Sequence, residues 1–237
     1  MAVWILDASH GGNDTGIIGR TLGRKESDIV LEAALEAKKH LERNGEKVIL
    51  TRENDTYLSL EERLSIADKS DGKFFISFHM NSHIDTSTKG VQVFYTKENY
   101  DNKRLAKLIS EEILCDLGTD EKGVLKDESK KYDNVSIMSV IVYGEYLSNS
   151  EVEEKFDSKS YGRMVAKACL SIVDKVLLLT PVTEPKETQQ RAWRVCIGYY
   201  KDYNEAIDVM VDMHKKGFKR AHVVPYNGKW FSVQKSL

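Results

Sequence analysis

Five short apolar runs, separated by longer segments with helical periodicity, dominate residues 3–178 of this chain. These runs are VWILDA (3–8), VILTR (48–52), FFISFH (74–79), GVQVFYT (90–96) and VIVYGEY (140–146). Unbroken apolar runs of this length are typical of strands buried on both faces of a sheet. The alternation of such strands with helices therefore predicts an α/β fold, a three-layer α/β sandwich around a mostly parallel, twisted sheet.

Four segments between and after the strands are predicted to be helices. Their sequences are SDIVLEAALEAKKHLERNG, SLEERLSIADK (59–69), NKRLAKLISEEILCDLG and SYGRMVAKACLSIVDKVLLL. Gly45 is placed to end the first of them, because glycine readily adopts the conformation that closes a helix. Ser59, with Glu62 three residues later, is the pattern of a capping box and predicts where the second helix begins.

The pattern changes near residue 179, which predicts a domain of residues 1–179, a linker (180–191) and a second unit (192–237). The linker TPVTEPKETQQR holds two of the three prolines and has no apolar periodicity. The last segment predicts a small α+β module in β-α-β-β order. Its strands are WRVCIGYY, RAHVVPY and KWFSVQ, and its helix is NEAIDVMVDMHKKGF.

Charge, cysteine content and hydropathy exclude several classes of protein. The net charge is −2 over 237 residues, which gives no electrostatic reason to expect nucleic acid as a partner. Cys115, Cys169 and Cys196 are far apart and lie in apolar segments, so we expect reduced core residues rather than disulfides. No apolar stretch is long enough for a membrane helix and no export signal is recognisable. We therefore expect no membrane insertion and a cytoplasmic location, so that another factor would have to release the protein if its substrate lies outside the cell.

Two histidines and one glutamate fall where a parallel sheet gathers its ligands. His10 follows the first strand, Glu26 begins the first helix and His79 ends the third strand. The carboxyl ends of parallel strands meet at one edge of the sheet, so these three side chains can converge there. Two histidines and a carboxylate form a catalytic zinc set with one position left for water. The alternative for Glu26 alone is a carboxylate favoured by the helix dipole.

The same stretches resemble the zinc-dependent N-acetylmuramoyl-L-alanine amidases of bacterial autolysins and phage endolysins. The resemblance lies in LDASHGGNDTG, KESDIVLEAAL and TRENDTYLSLEERLSIADKSDGKFFISFHMNS, and it covers about residues 1–178. It implies that His10, Glu26 and His79 bind Zn²⁺. It also implies hydrolysis of the amide between N-acetylmuramic acid and the L-alanine of the stem peptide, with peptidoglycan as the partner.

Three polar residues near these motifs are candidates for shaping a substrate groove. The alternative role for Arg63 is a salt bridge along its helix. The alternative role for Asn81 is to hold the loop that follows His79. His83 is expected to be a solvated loop residue.

The sequence departs from the family pattern at the position of the catalytic glutamate. The family has this residue on a late strand, in a pattern like VLVE-x-GF-x-SN, and the matching stretch here is VIVYGEYLSN. Aligned on Ser148 and Asn149, the glutamate position is occupied by Tyr143, and the nearest carboxylate is Glu145. Residues two apart in a strand face the same side, so Glu145 is predicted to face the site but to be displaced, unless a bulge at Gly144 shifts it back.

Three interpretations of this departure stay open, with Tyr143 and Glu145 as the candidate catalytic residues. Glu145 acts as the base from a shifted register, or Tyr143 stabilises the oxyanion with slower proton transfer, or the domain binds peptidoglycan with little turnover. Glu145 as a strand-end surface charge is the alternative without a function. A zinc peptidase that cuts within the stem peptide is a further competing class.

The C-terminal segment resembles the sporulation-related, or SPOR, peptidoglycan-binding module, through WRVCIGYY, KKGF and HVVPYNGKWFSV. Only about half of the family module is present, which leaves an unpaired sheet edge, and a homodimer that pairs two halves is expected. Tyr199 and Trp230 are candidates for stacking on sugar rings, with core or dimer interface as the alternative. The whole chain is thus predicted to be a cell-wall hydrolase, a phage or prophage endolysin first and a mother-cell autolysin of a spore former second.

Overall fold

The computed structural model describes residues 2–97, 100–117, 119–132, 135–176, 194–200, 221–226 and 229–235. The chain divides into two compact units, Met1–Thr180 and Pro181–Leu237. The predicted linker (180–191) and the predicted helix NEAIDVMVDMHKKGF lie outside the described residues.

A six-stranded mixed sheet forms the centre of the first unit. Its strands are β1 (Val3–Ala8), β2 (Lys47–Leu50), β3 (Phe74–Asn81), β4 (Val91–Tyr95), β5 (Glu121–Lys126) and β6 (Met138–Tyr146). The order is β2-β1-β3-β6-β4-β5, and the first four of these strands are parallel. β4 is antiparallel to β6, and β5 is parallel to β4. The five predicted strands are confirmed, whereas β5 was missed because EKGVLK is an edge strand in which Val124 is half-buried and Leu125 is exposed.

Helices cover both faces of this sheet, as the alternation predicts. They are α1 (Glu26–Arg43), α2 (Leu60–Asp68), α3 (Tyr100–Leu117), α4 (Ser150–Lys155) and α5 (Ser158–Val176). The capping box is confirmed, because the Ser59 hydroxyl accepts the Glu62 amide and the Glu62 carboxylate accepts the Ser59 amide. The sequence pattern missed α4, since six residues are too few to show a helical period.

Alternate residues of the central strands belong to two separate hydrophobic cores, one on each face of the sheet. Trp4, Leu6 and Ile76 pack on the face that carries α1, α3 and α5. Ile5 and Phe75, with zero exposure, pack on the other face, against α2. Burial of each side chain of this size contributes about 1.5–3 kcal/mol to stability relative to an exposed one. Both layers therefore stabilise the position of the strands.

One irregularity interrupts the pairing of β3 with β6 where both strands end. His79 pairs with Tyr143, but Asn81 pairs with Tyr146, so β6 has one residue more than β3 over this interval. An extra residue of this kind is a β-bulge, and it reverses which face the following side chains occupy. Gly144 lies within the bulge, where a Cβ atom would come within 2.8 Å of the Tyr161 ring.

The described part of the second unit is a three-stranded antiparallel sheet. Its strands are β7 (Arg194–Tyr200), β8 (Ala221–Tyr226) and β9 (Lys229–Lys235), with β9 in the middle. Tyr199 lies on β7 opposite Phe231, and Trp230 lies on β9 opposite Tyr200.

Two expectations from composition concern the cysteines and membrane-spanning helices, and the structure bears on them only within the described residues. Cys169 is a free, buried thiol, and burial raises its pKa. Among the helices that the structure describes, none combines the length and the apolar character that crossing a bilayer requires.

Candidate metal centre

Three side chains from three different elements converge at the carboxyl edge of the sheet. His10 follows β1, Glu26 is the first residue of α1, and His79 lies near the end of β3. One ligand atom from each lies within 4.8 Å of the others. His10 Nε2 is 3.3 Å and His79 Nδ1 is 3.1 Å from the same oxygen, Glu26 Oε1. The structure therefore brings together the three residues that the sequence selects as metal ligands.

Glu26 is held rigidly although it is charged and buried. Its carboxylate accepts the amide of Ile17 at 3.0 Å on one oxygen and the amide of Met80 at 2.9 Å on the other. Burial alone would raise the pKa of Glu26, but hydrogen bonds and positive charge from His10 and His79 outweigh it and hold the pKa far below its usual range. Glu26 is thus a preoriented anion facing two imidazoles.

The sequence reasoning missed Asp14, which contacts the other nitrogen of the His10 ring. Its Oδ2 lies 2.9 Å from His10 Nδ1, and its Oδ1 accepts the amide of Gly16 at 3.0 Å. A histidine that donates one ring N–H to a carboxylate leaves its other nitrogen as a metal ligand. Burial alone would lower the pKa of His10, but Glu26 and Asp14 outweigh it and raise that pKa. The signal in the sequence was a carboxylate four residues after the histidine.

Arg63 does not form part of a substrate groove, which corrects that prediction. The side chain is 5% exposed and its guanidinium forms a buried ion pair with Asp7 at 2.8 Å. It also donates to the carbonyl oxygens of Leu58, Ala8 and His10. Since these acceptors occupy the guanidinium, Arg63 instead fixes the turn that carries His10. The salt bridge expected as its alternative does form, but to β1 rather than along the helix.

Tyr143 lies directly beside the metal ligands. Its ring stacks on that of His79 with centroids 5.1 Å apart, and Phe94 packs edge-on at 5.4 Å. Burial, with the negative charges of Glu26 and Asp127, raises the pKa of Tyr143 to about 12. The phenol is therefore protonated at neutral pH and is able to donate a hydrogen bond.

Glu145 does not face this cluster, which corrects the prediction that its side chain points towards the site, while its role as the base stays a prediction. Its Oε2 accepts the amide of Gly90 at 2.6 Å, and its Oε1 accepts the hydroxyl of Thr119. The side chain lines a small cavity with Val152 and Phe156, on the sheet face that carries α3 and α5. The bulge in β6 produces this result, because it turns Glu145 to the face opposite Tyr143. Glu145 is 6% exposed, so it is not a surface charge either.

The remaining candidates lie beside the cluster or in the second unit. Asn81 is half-buried and donates to Gln92 Oε1 at 3.1 Å, while its own oxygen accepts the Ser82 amide. His83 is exposed, as expected. Tyr199 and Trp230 are described only by their strand positions, so their role in sugar binding stays a prediction.

Comparison with known proteins gives a family match over most of the first unit. A family model described as N-acetylmuramoyl-L-alanine amidase matches residues 5–175. The N-acetylmuramoyl-L-alanine amidase LytC of Bacillus subtilis is 30% identical over 165 residues, which are 69% of this chain and 33% of LytC. The germination-specific N-acetylmuramoyl-L-alanine amidase of the same organism is 29% identical over 178 residues, covering 69% of this chain and 74% of that protein.

Solved structures extend the likeness to the fold. The CwlD amidase of Clostridioides difficile, determined in complex with the GerS lipoprotein, superposes with a TM-score of 0.69 at 29% identity. The match covers 76% of this chain and 100% of the CwlD chain. The α/β sandwich seen here is therefore the fold of that amidase.

Proposed function

The chain belongs to the N-acetylmuramoyl-L-alanine amidase family, whose substrate is peptidoglycan, and we propose that it is a zinc enzyme of that family. The observation that carries the proposal is the convergence of His10, Glu26 and His79 on one point. The bond cleaved is the amide between the lactyl group of N-acetylmuramic acid and the L-alanine of the stem peptide.

The donor set fits zinc better than the hard cations. Two imidazole nitrogens and one carboxylate oxygen match the ligands of catalytic zinc sites, whereas magnesium and calcium prefer oxygen alone. Both ring nitrogens already point at Glu26 Oε1, and Asp14 holds the second nitrogen of His10. The chain would thus hold the ion through His10 Nε2, His79 Nδ1 and Glu26.

The residues around the ligands divide the remaining chemistry between them. When bound, zinc polarises the scissile carbonyl and lowers the pKa of a water molecule to about 7. The hydroxyl of Tyr143 donates a hydrogen bond to the oxygen of the carbonyl as negative charge develops there. Because Tyr143 takes the position of the family glutamate, general-base assistance is lost, and such assistance contributes about 100- to 10,000-fold. We therefore expect slow turnover.

Turnover on purified cell walls, measured with zinc for the wild type, Tyr143→Phe and His79→Ala, tests the proposal. We expect His79→Ala to lose zinc and activity, and Tyr143→Phe to keep zinc but lose at least tenfold in kcat. The products must be intact glycan and peptides with a free L-alanine amino terminus. Products cleaved within the stem peptide would contradict the amidase proposal and favour a peptidase.

A second candidate, a peptidoglycan-binding protein without significant catalysis, is favoured by one observation. Glu145 faces away from the cluster, and Tyr143 provides no base in its place. A wild-type protein that binds zinc and walls but releases no product would support this candidate.

The biological setting is proposed separately from the chemistry. A phage or prophage endolysin, cytoplasmic until lysis, is the setting that we propose from the sequence. The similarity to a germination-specific amidase of Bacillus subtilis supports the alternative, an autolysin of a spore-forming bacterium. Lysis of cells by the protein added from outside, compared with its expression inside them, distinguishes the two settings.

For the second unit we propose binding to glycan strands by a half SPOR-like module, with two chains pairing their halves. The support is the three-stranded sheet, in which β7 and β8 are edge strands of the described part. Analytical ultracentrifugation tests the pairing. A monomer at all concentrations contradicts it.

A further inference from the structure

The loop that connects β3 to β4, residues 82–90, is fastened from one side by the segment that ends β6 and begins α4. The amide of His83 donates to Ser148 Oγ at 2.9 Å. Asn149 Nδ2 donates to the carbonyl oxygen of Ser87 at 3.1 Å, and its Oδ1 caps α4. The loop is thus held near its start and at its middle by two neighbouring side chains.

Glu145 fastens the far end of the same loop. Gly90 is the last loop residue, and its amide donates to Glu145 Oε2 at 2.6 Å. The hydroxyl of Thr119 donates to the other carboxylate oxygen, Oε1. A buried carboxylate is stable only when donors satisfy both oxygens. The loop supplies one of the three donors that the structure describes, since the Tyr146 amide also donates to Oε2 at 3.3 Å.

Within the described part of the chain, few other contacts hold residues 82–90 in place. Residues 82–87 are all exposed, and Ile84 near the tip is 92% exposed. The hydrogen bonds within the loop are local, such as that from Ser87 to Asp85. Its position therefore depends on the contacts from Glu145, Ser148 and Asn149.

The loop also lies at the edge of the sheet where the metal ligands meet. It begins three residues after His79 on β3, and the ring of His83 packs edge-on against Tyr146 at 6.4 Å. The loop thus starts at the same edge of the sheet as the cluster, close along the chain to His79.

We infer that Glu145 is a positioning residue, which fastens the β3–β4 loop as a wall of the groove for the muramoyl-peptide substrate. The inference rests on the proposed function for the identity of the substrate. The bulge in β6 is what places Glu145 in this role, because the residue in a regular strand would lie on the same face as Tyr143.

Glu145→Gln, Glu145→Ala and the control Glu151→Ala separate this role from that of a base. Glutamine retains an oxygen for the Gly90 amide and an N–H₂ group for the Thr119 hydroxyl, whereas alanine retains neither. Glu151 lines the same cavity, is exposed and pairs with Lys155. Its charge also attracts the loop residue Lys89, so Glu151→Ala removes a carboxylate near the loop without removing a hydrogen bond to it.

The readouts are backbone hydrogen exchange of residues 82–90, zinc content, and KM and kcat on a soluble muramoyl-peptide. We expect Glu145→Ala to speed exchange in the loop at least tenfold and to raise KM about tenfold, with kcat within threefold of wild type. Glu145→Gln should restore both exchange and KM. If the alanine variant fails to fold, Thr119→Val removes one partner of the carboxylate and should produce the same changes to a smaller degree.

Three results would overturn the inference. Equal loss of kcat in the glutamine and alanine variants, with unchanged exchange, would make Glu145 a base. Unchanged exchange in Glu145→Ala would show that the loop needs no anchor, and faster exchange with unchanged KM would place the loop outside the groove. If the wild type itself lacks turnover, the proposed function fails, and the exchange data with substrate-binding titrations still decide the role of Glu145.

Discussion

His10 combines the ring of a candidate metal ligand with a backbone conformation that is rare outside glycine. Its φ angle is +59°, in the left-handed region. Two interactions hold it there: Arg63 donates to its carbonyl oxygen at 2.7 Å, and Asp14 binds its ring. The next residue is Gly11, where any Cβ atom would lie 2.4 Å from the carbonyl oxygen of Thr56. The glycines after His10 are therefore needed for close packing of the loop.

Asp14→Ala is expected to weaken zinc binding about 10- to 100-fold, as the loss of outer carboxylates typically does. Without Asp14, no carboxylate selects the ring tautomer with Nε2 free for the metal. Competition with a chromophoric chelator measures the affinity, and nitrogen shifts of the His10 ring in the metal-free protein report the tautomer. Asp14→Asn retains an acceptor and should lie closer to wild type, and the exposed Asp71→Ala is the control. Equal affinities for Asp14→Ala and Asp71→Ala would refute this role.

Arg63→Met is expected to destabilise the first unit by about 3–5 kcal/mol, because it leaves the buried carboxylate of Asp7 without its charged partner. Among the described residues, Asp7 keeps hydrogen bonds from the hydroxyls of Thr51 and Ser77, and the charge of Arg52 acts on it without a direct ion pair. Urea unfolding of the full chain measures the change. Arg163→Met is the matched control, since Arg163 is exposed and its pairs with Glu36 and Asp157 are 3.5 Å long. Such surface pairs contribute about 0–1 kcal/mol, so equal losses in both variants would contradict the argument.

At the scale of elements, α4 is a clamp, through Glu153, on the segment that leads to the candidate metal ligand Glu26. The buried carboxylate of Glu153 accepts the amides of Thr21, Leu22 and Arg24. Arg24 in turn donates to the carbonyl oxygens of Glu153 and Phe156. The segment before α1 is thus held at α4 in two ways. The carboxylate of Glu153 accepts backbone amides of the segment, and the guanidinium of Arg24 donates to carbonyl oxygens at the end of the helix.

Glu153→Gln is expected to lower stability at pH 7 by about 1–3 kcal/mol, because an amide cannot accept three N–H donors as a carboxylate does. Burial opposes the ionisation of Glu153, but the backbone donors outweigh it and lower its pKa. The stabilisation is therefore complete above the ordinary carboxyl pKa, about 4.5, and is lost as the pH falls through the lowered folded-state value. The difference between wild type and Glu153→Gln in urea unfolding should accordingly shrink in acid.

The control for this prediction is the neighbouring Glu154→Gln, an exposed position in the same helix. Its unfolding free energy should match that of wild type at every pH. A constant difference between Glu153→Gln and wild type from pH 7 to pH 3 would refute the ionic origin of the clamp.

The elements also show which residues of the candidate site were correctly placed from the sequence and which were not. His10, Glu26 and His79 were predictable because each follows or begins a strongly patterned element, and topology alone brings such positions together. Glu145 was predicted on the wrong face, because the period of a strand assumes that no residue is inserted. Gly144 indicated that a bulge could occur, but not to which face it would turn the next side chain. Arg63 was misplaced for another reason: its partner Asp7 is 56 residues away, and the sequence does not show tertiary ion pairs.

At the scale of the whole molecule, the chain consists of a patterned α/β unit and a short C-terminal unit. The fold of the first unit was predictable because its core strands are continuous apolar runs, while β5 and α4 were missed for want of such patterns. The candidate metal ligands, Asp14, Tyr143 and Glu153 of α4 all lie in the first unit. We therefore expect the first unit to bind zinc without the second.

A chain ended at Thr180 is expected to separate the two units experimentally. It should bind zinc with the affinity of the full chain and unfold in urea at the same midpoint, because the division between the units falls at Thr180. Turnover of a soluble muramoyl-peptide should also be unchanged. Sedimentation with purified cell walls should fall at least tenfold if the second unit binds glycan, and concentration-dependent self-association should disappear if that unit also pairs the chains. Undiminished wall binding by the shortened chain would remove the SPOR-like role, and weaker zinc binding would show that the first unit depends on the second.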